Sequence, residues 1–451
     1  MEDGFDIGLF GLDLFTGNLA RSLSEHDVSV ATCPFAGAAA PVRDLSAQGI
    51  LSVQNARQLV AVLRRPRVLV VRAQPGGGSE IPWQNAMEAL ESGDILIDAS
   101  DSWFRDTSAR ARAAAGKRIH YLNLGLARSE NSERPLLMAG GRRDVFDRVS
   151  RLLEAASPEI FGVQGRGHLG AGPSGHFIKM THAAIECAVR QIVGECQTIL
   201  DRGLGAEAGD LLDGRRDDPL FDYLRRPILT SPPECDRQMA EWAARAAAEL
   251  EVPALTIQAS SGAPKLMNHD VLTEAFCQPV GSLPASGERL VAAAHGALRA
   301  AIIISYAEGL GLLATASERL QFHIDLPGTL RVWRAGARLR GRMLEDIQAA
   351  FETTPGLPNL LFDDDFSGNI MELQEPLRQA VWQADEWNMP TPALAAALCY
   401  IDTLRDAWLP INLIQPEGLS WEPPGRENRV AAALHSEWEE DDSSATDPRL
   451  A

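Results

Sequence analysis

The sequence predicts an α/β domain built on a doubly wound parallel sheet, followed by a large all-helical domain. Three observations lead there. Short β-branched runs alternate with amphipathic stretches through the first part of the chain. A glycine-rich segment over 165–175 (GRGHLGAGPSG) then changes the texture, and beyond it Ala- and Leu-rich stretches with helical periodicity dominate to about residue 407. The segments 7–10, 28–32, 68–72 and 95–98 read as buried strands, with helices over 18–26, 53–64, 83–91 and 106–115 between them. Strand–helix alternation at this spacing pairs strands in parallel, because each crossover returns the chain to the same sheet end. Runs at 119–124 and 135–139 add candidate edge strands. The expected domains are 1–168, 169–413 and an acidic, partly disordered tail over 414–451 that holds His435 and Trp438.

Composition narrows the function classes. The chain has 451 residues, 45% of them hydrophobic, which suits two or three globular domains and excludes global disorder. A formal net charge of −19 argues against nucleic acid and anionic membrane surfaces as partners, since both require a basic face. The cysteines, Cys33, Cys187, Cys196, Cys235, Cys277 and Cys399, form no C-x-x-C pair and imply neither a disulfide framework nor a zinc site; Cys187 reads as a small core filler. No metal constellation stands out. The opening MEDGFDIGLFG lacks a basic stretch before a long apolar run, so no signal peptide is expected. The most apolar segment, 291–314, is interrupted by His295, Arg299 and Glu308 and reads as a buried helix. A cytoplasmic protein is the expectation.

The first strand runs into GLDLFTGNLARSL, a glycine turn before a helix. A dinucleotide site needs small residues there, so that backbone approaches the pyrophosphate and the helix N-terminus faces it. Gly11 meets the need, whereas Asp13 and Thr16 stand where glycine or alanine is usual. A carboxylate beside a pyrophosphate repels it unless it points away. The second strand ends Ala31-Thr32-Cys33-Pro34, with no acid for ribose hydroxyls and no arginine for a 2′-phosphate, so NAD rather than NADP is expected. The candidate cofactor contacts are Gly11, Leu12, Asp13, Leu14, Phe15, Thr32, Arg72, Ala73, Gln74 and Asp101.

In HFIKMTHAAIE, Lys179, His182 and Glu186 follow at offsets of three and four and project from one helix face. Burying a lysine and a glutamate unpaired among Phe177, Ile178, Ile185 and Val189 is costly. The alternative is a Lys–Glu surface pair on a polar face.

HFIKMTHAAIE resembles the catalytic helix of the 6-phosphogluconate dehydrogenase family, HFVKMVHNGIE. DILIDASDSWFRDT resembles that family's strand and turn beside the nicotinamide, and ISYAEGLGLL, VWRAGARLRGRMLEDI and LPINLIQ resemble landmarks of its helical domain, so the likeness reaches about Leu413. It implies a Rossmann NAD-binding domain, a helical catalytic and dimerisation domain, and a tail reaching into the partner of a homodimer. It also implies that Lys179 takes the proton from a substrate hydroxyl, that Glu186 is the acid of a later step, and that His182 contacts substrate. A lysine fits that first role when desolvation or a neighbouring cation lowers its pKa. Trp333 and Arg334 read as helix-packing residues.

The departures from the family pattern concern the substrate. Ala183 replaces an asparagine, Cys187 a tyrosine, Ala127-Arg128-Ser129 a Ser-Gly-Gly loop and Asp101 the asparagine of a GGNS turn. A phosphate-gripping arginine aligns near Gly281, the tail's arginine and histidine near Gly418 and Pro424, and a loop lysine near Pro264 or Lys265. Phosphate recognition rests on clustered cations. Their loss implies an unphosphorylated substrate, with His182, Arg128, Ser129 and Asp101 as candidate contacts. Three functions compete. The first is redox-neutral dehydration of a nucleoside sugar in antibiotic biosynthesis, as in an angustmycin-type nucleoside dehydratase, with NAD tightly bound and reused. The second is simple NAD-dependent oxidation of a polyol or hydroxy acid. The third is a non-catalytic dimeric binding protein, which Asp13, Thr16 and the altered loop would suit.

Overall fold

The computed structural model describes residues 4–34, 45, 49–73, 81–129, 132–160, 162–205, 207–213, 218, 220–225, 237–267, 287–336 and 342–405. The N-terminal part runs β1 (Ile7–Phe10), α1 (Leu14–Ser24), β2 (Val30–Cys33), β3 (Leu51–Ser52), α2 (Ala56–Ala61), β4 (Val68–Val71), α3 (Ile81–Ala89), β5 (Ile95–Asp98) and α4 (Phe104–Gly116). It continues through β6 (His120–Ser129), β7 (Ser132–Gly141), α5 (Arg143–Ala156), the short pair β8 (Glu159–Ile160) and β9 (Val163–Gln164), and β10 (Arg166–Gly170). Eight strands form one sheet in the order β10-β7-β6-β5-β4-β1-β2-β3. Every neighbour pair is parallel except β6 with β7. The strand order therefore reverses between β1 and β4, which opens a crevice at their C-terminal ends. The strands β1, β2, β4 and β5 are wholly buried, as continuous apolar runs in a sheet covered on both faces must be.

Two local expectations are corrected. The glycine-rich stretch read as a connector contains β10, which pairs with β7 through Gly170, so the sheet extends two residues past the expected boundary at 168. Glycine normally weakens a strand, but here the cost is offset by the ladder on β7. Cys187 is buried in the helical core, as expected of a small filler, but it is also disulfide-bonded, which departs from the expectation that the cysteines form no disulfide.

The helical part begins with α6 (Ser174–Leu204), followed by α7 (Glu207–Asp213), α8 (Leu220–Arg225), α9 (Arg237–Glu249) and α10 (Leu255–Met267). Then come α11 (Gly287–Arg319), α12 (Leu326–Arg334), α13 (Arg342–Thr353), α14 (Asp364–Glu386) and α15 (Pro392–Arg405). The long pair α6 and α11 forms the centre, apolar nearly all round. The stretch of α11 apolar enough to cross a membrane is 83% buried against its neighbours. Trp333 is fully buried and its indole N–H points at the Met138 sulfur at 3.4 Å, joining α12 to the sheet.

Two buried glutamates lock this bundle by capping other helices. Glu195 on α6 accepts from the Ala393 and Leu394 amides (3.0 and 2.9 Å) at the start of α15. Glu308 on α11 accepts from Thr256 and Ile257 (2.9 and 3.0 Å) at the start of α10. A carboxylate at a helix N-terminus satisfies orphan N–H groups and complements the dipole. Burial nevertheless pushes Glu308 up to about 7 against the pull of those amides. Below that pH the folded chain holds a proton that the unfolded chain releases down to its ordinary value of 4.5. Stability from this group is thus greatest at acid pH and is lost as pH rises through the folded value. Glu308→Gln removes the titration. The wild-type stability, taken relative to this variant by urea unfolding, is expected to fall by about 1.4 kcal/mol per pH unit between pH ~5 and ~7 and to level off above. A difference that stays flat across that window contradicts the assignment.

Candidate active site

The crevice is crossed by one guanidinium. Arg72, just past β4 and 5% exposed, donates from Nε to Asp13 Oδ2 (2.7 Å), from one terminal nitrogen to the Ala99 carbonyl (2.6 Å) and from the other to Asp101 Oδ2 (2.9 Å). It therefore ties together the chain ends beyond β1, β4 and β5. Burial works against the Arg72 charge, but the carboxylates of Asp101 and Asp13 hold its pKa above the ordinary value. Burial also works against the Asp13 carboxylate, and Arg72 with the Thr16 amide and hydroxyl holds it below the usual range.

The glycine turn is formed as a dinucleotide site requires. Gly11 sits at φ +93°, in the left-handed region that favours glycine, and turns the chain from β1 into α1. Asp13 is the N-cap: its Oδ1 accepts from the Thr16 amide (2.9 Å), while the Asp13 amide donates to the Thr16 hydroxyl (2.8 Å). This is a complete capping box, made with threonine in place of the usual glutamate. The Leu14 and Phe15 amides, which a helix start leaves without intrahelical acceptors, find none among the described residues. Two backbone donors and the positive helix end thus fit a pyrophosphate, and Asp13 is the group that opposes it. Phe15 lies beside the cluster, with the guanidinium carbons of Arg72 and Arg128 5.1 and 5.9 Å from its ring centre.

The sheet also positions α6. Gly125 on β6 lies so close to α6 that a Cβ there would meet Lys179 Cβ at 2.5 Å and the Gly175 carbonyl at 2.6 Å. One turn earlier, the buried His176 bonds through Nε2 to the Asp98 carbonyl (3.0 Å) and through Nδ1 to the Thr107 hydroxyl (2.8 Å). A carbonyl only accepts, so Nε2 carries the proton and Nδ1 accepts from Thr107, the neutral imidazole. Burial lowers its pKa in keeping with that state. Asp98, fully buried, is satisfied by the Tyr121 hydroxyl (2.6 Å), the Ser100 amide (3.0 Å) and Arg110 (3.3 Å). This network fixes the start of α6 against the ends of β5 and β6.

Lys179 and Glu186 are half-buried on a helix whose neighbouring positions are buried. His182 lies between them, 7% exposed, its ring 5.0 Å from that of Trp333. Burial, reinforced by the Lys179 charge, pushes His182 down to about 3, so it is neutral at physiological pH, and its Nε2 meets no hydrogen-bond partner among the described residues. Burial and then the nearby Glu186 charge push the Tyr306 hydroxyl far up. The lysine, the histidine and the glutamate expected from the sequence therefore share one helix face, with two neighbours: Trp333, read from the sequence only as a helix-packing residue, and Tyr306, which the sequence pattern did not single out. The signal for Tyr306 was present in ISYAEGLGLL, read only as a landmark.

The remaining candidates divide. Leu12 is buried, and the Ala73 amide donates to Ser100 (2.7 Å). Thr32 is 1% exposed and its hydroxyl donates to the Leu51 carbonyl (3.2 Å). Ser129 donates to the Ala335 carbonyl at 3.5 Å. Gln74, Gly281, Gly418, Pro424 and the tail over 414–451 lie outside the described residues. A cavity of about 1540 Å³ runs along α6 from Cys187 to Arg202 toward Trp382, and Lys179 is not among its described lining residues.

Residues 6–165 match the family model described as NAD binding domain of 6-phosphogluconate dehydrogenase, and residues 236–417 the model described as 6-phosphogluconate dehydrogenase, C-terminal domain. The chain is 29% identical to 6-phosphogluconate dehydrogenase, decarboxylating 2, chloroplastic of Oryza sativa subsp. japonica, over 91% of this chain and 89% of that protein. It is 27% identical to the NADP(+)-dependent, decarboxylating 6-phosphogluconate dehydrogenase of Bacillus subtilis, over 91% of this chain and 94% of that one. The Plasmodium falciparum 6-phosphogluconate dehydrogenase, solved in apo form and in complex with NADP+ and with 6-phosphogluconate, shares the fold, with a TM-score of 0.79 and 24% identity over 94% of this chain and 98% of that one. The two family matches, in the right order and together spanning most of the sequence, show that this chain is a divergent member of the 6-phosphogluconate dehydrogenase family, an oxidoreductase with an NAD(P)-binding N-terminal domain.

Proposed function

We propose that the chain is an NAD-dependent enzyme that dehydrates an unphosphorylated sugar-like substrate, a nucleoside sugar in antibiotic biosynthesis, without net redox change. The observation that carries this reading is the placing of Lys179, His182 and Glu186 on one helix face fixed by Gly125 and His176; the absence of phosphate-binding cations that the family resemblance implies supports an unphosphorylated substrate. A nicotinamide, when bound, supplies the hydride acceptor and donor. Lys179 takes and returns the proton of the substrate hydroxyl. Neutral His182 holds the substrate through its unused ring nitrogen. Glu186 moves the proton lost from the carbon beside the oxidised centre, so that a β-hydroxyl leaves as water. Asp101, Arg128 and Ser129 complete the substrate side. The working form is a cytoplasmic homodimer.

A second reading, net oxidation of a polyol or hydroxy acid, is favoured by the dehydrogenase relatives. The test is product stoichiometry with catalytic NAD+ and a panel of nucleosides, polyols and sugar acids. Product without accumulating NADH supports dehydration, one NADH per product supports oxidation, and failure to turn over any of them with no dinucleotide uptake supports a binding protein.

A further inference from the structure

The Asp13 carboxylate occupies the place of an anion. It takes the Thr16 amide at the start of α1 and the Nε of Arg72, the backbone donor and the cation that border the Leu14 and Phe15 amides. The cluster also holds two carboxylates against one cation. Asp101 is 7% exposed, and its Oδ1 meets no donor among the described residues although Oδ2 holds Arg72. One guanidinium therefore serves two carboxylates. Three of the five N–H groups of Arg72 are already committed, to Asp13, Asp101 and the Ala99 carbonyl.

We propose that Asp13 is a built-in competitor for the pyrophosphate of the cofactor, so that this chain holds a dinucleotide loosely and exchanges it. The inference rests on the dinucleotide assignment above and refines it: Asp13 sets the affinity. It also reverses the expectation of a tightly held NAD. Two effects act together. Asp13 places a unit negative charge beside the phosphate amides, where like charges repel. It also leaves the cluster with a net negative charge, since Asp101 alone already balances Arg72.

The test compares wild type with Asp13→Asn and Asp13→Ala by NADH fluorescence titration and by calorimetric titration of ADP-ribose, which carries the pyrophosphate without the nicotinamide. Asparagine caps a helix as well as aspartate does, so Asp13→Asn removes the charge and keeps the fold of the turn. Both variants are expected to bind both ligands about tenfold tighter or better, with Asp13→Asn melting at the wild-type temperature. Measurable affinities that are equal in all three proteins, or weaker in the variants, overturn the role of Asp13 and leave the cofactor assignment standing. Absence of binding to any of the three overturns both.

Discussion

Lys179→Met is expected to lower kcat about 1000-fold, within the range by which a positioned acid or base accelerates proton transfer. The same variant is expected to keep the melting temperature and the NADH affinity of wild type. The separation follows from the surroundings of the ammonium. Lys179 makes no hydrogen bond or ion pair to the described residues, so methionine, of similar length, removes the charge without stranding a buried partner. The helix itself is held by His176 and the Gly125 contact. Steady-state kinetics on the substrate found in the panel checks this. A variant that turns over within a few fold of wild type removes Lys179 from the chemistry.

Arg72→Met is expected to destabilise the sheet domain by about 3 kcal/mol, because removing one partner of a buried ion pair leaves the other charge uncompensated. Here two carboxylates lose their cation, and Asp101 is nearly as buried as Arg72 itself. Neutralising the stranded charge by Asp101→Asn in the same chain is expected to recover a large part of the loss. Thermal unfolding of the single and double variants measures both values. A single variant within about 0.5 kcal/mol of wild type, the ordinary scale of surface substitutions, shows the cluster to be energetically idle.

The parts of this molecule that follow local rules were legible in its sequence. The strands β1 and β5 fall where continuous apolar runs stand between turn residues, and the 3.6-residue period alone places Lys179, His182 and Glu186 on one face. The observed α1 begins at Leu14, four residues ahead of the expected start, because the Asp13–Thr16 capping box is written in short polar residues rather than in hydrophobic period. The Arg72 cluster was out of reach for a different reason. Asp13 and Arg72 are 59 residues apart, and only the return of β4 to the side of β1 brings them together. Read alone, Asp13 looks like a damaged glycine motif. In the fold it is a satisfied cap and half of an ion pair. Glu195 and Glu308 show the same limit. Each looks like a polar residue misplaced in an apolar helix, and each is explained by a helix start elsewhere in the chain: residues 393–394 for one and 256–257 for the other.

A crystal structure of the chain soaked with NAD+ locates the dinucleotide relative to Asp13, Arg72 and Lys179. Density for the pyrophosphate is expected on the Leu14 and Phe15 amides, with Asp13 displaced from Arg72, and for the nicotinamide at the ends of β4 and β5 on the Lys179 side of the crevice. Density elsewhere, or an intact Asp13–Arg72 pair with no dinucleotide at saturating concentration, would contradict that placement.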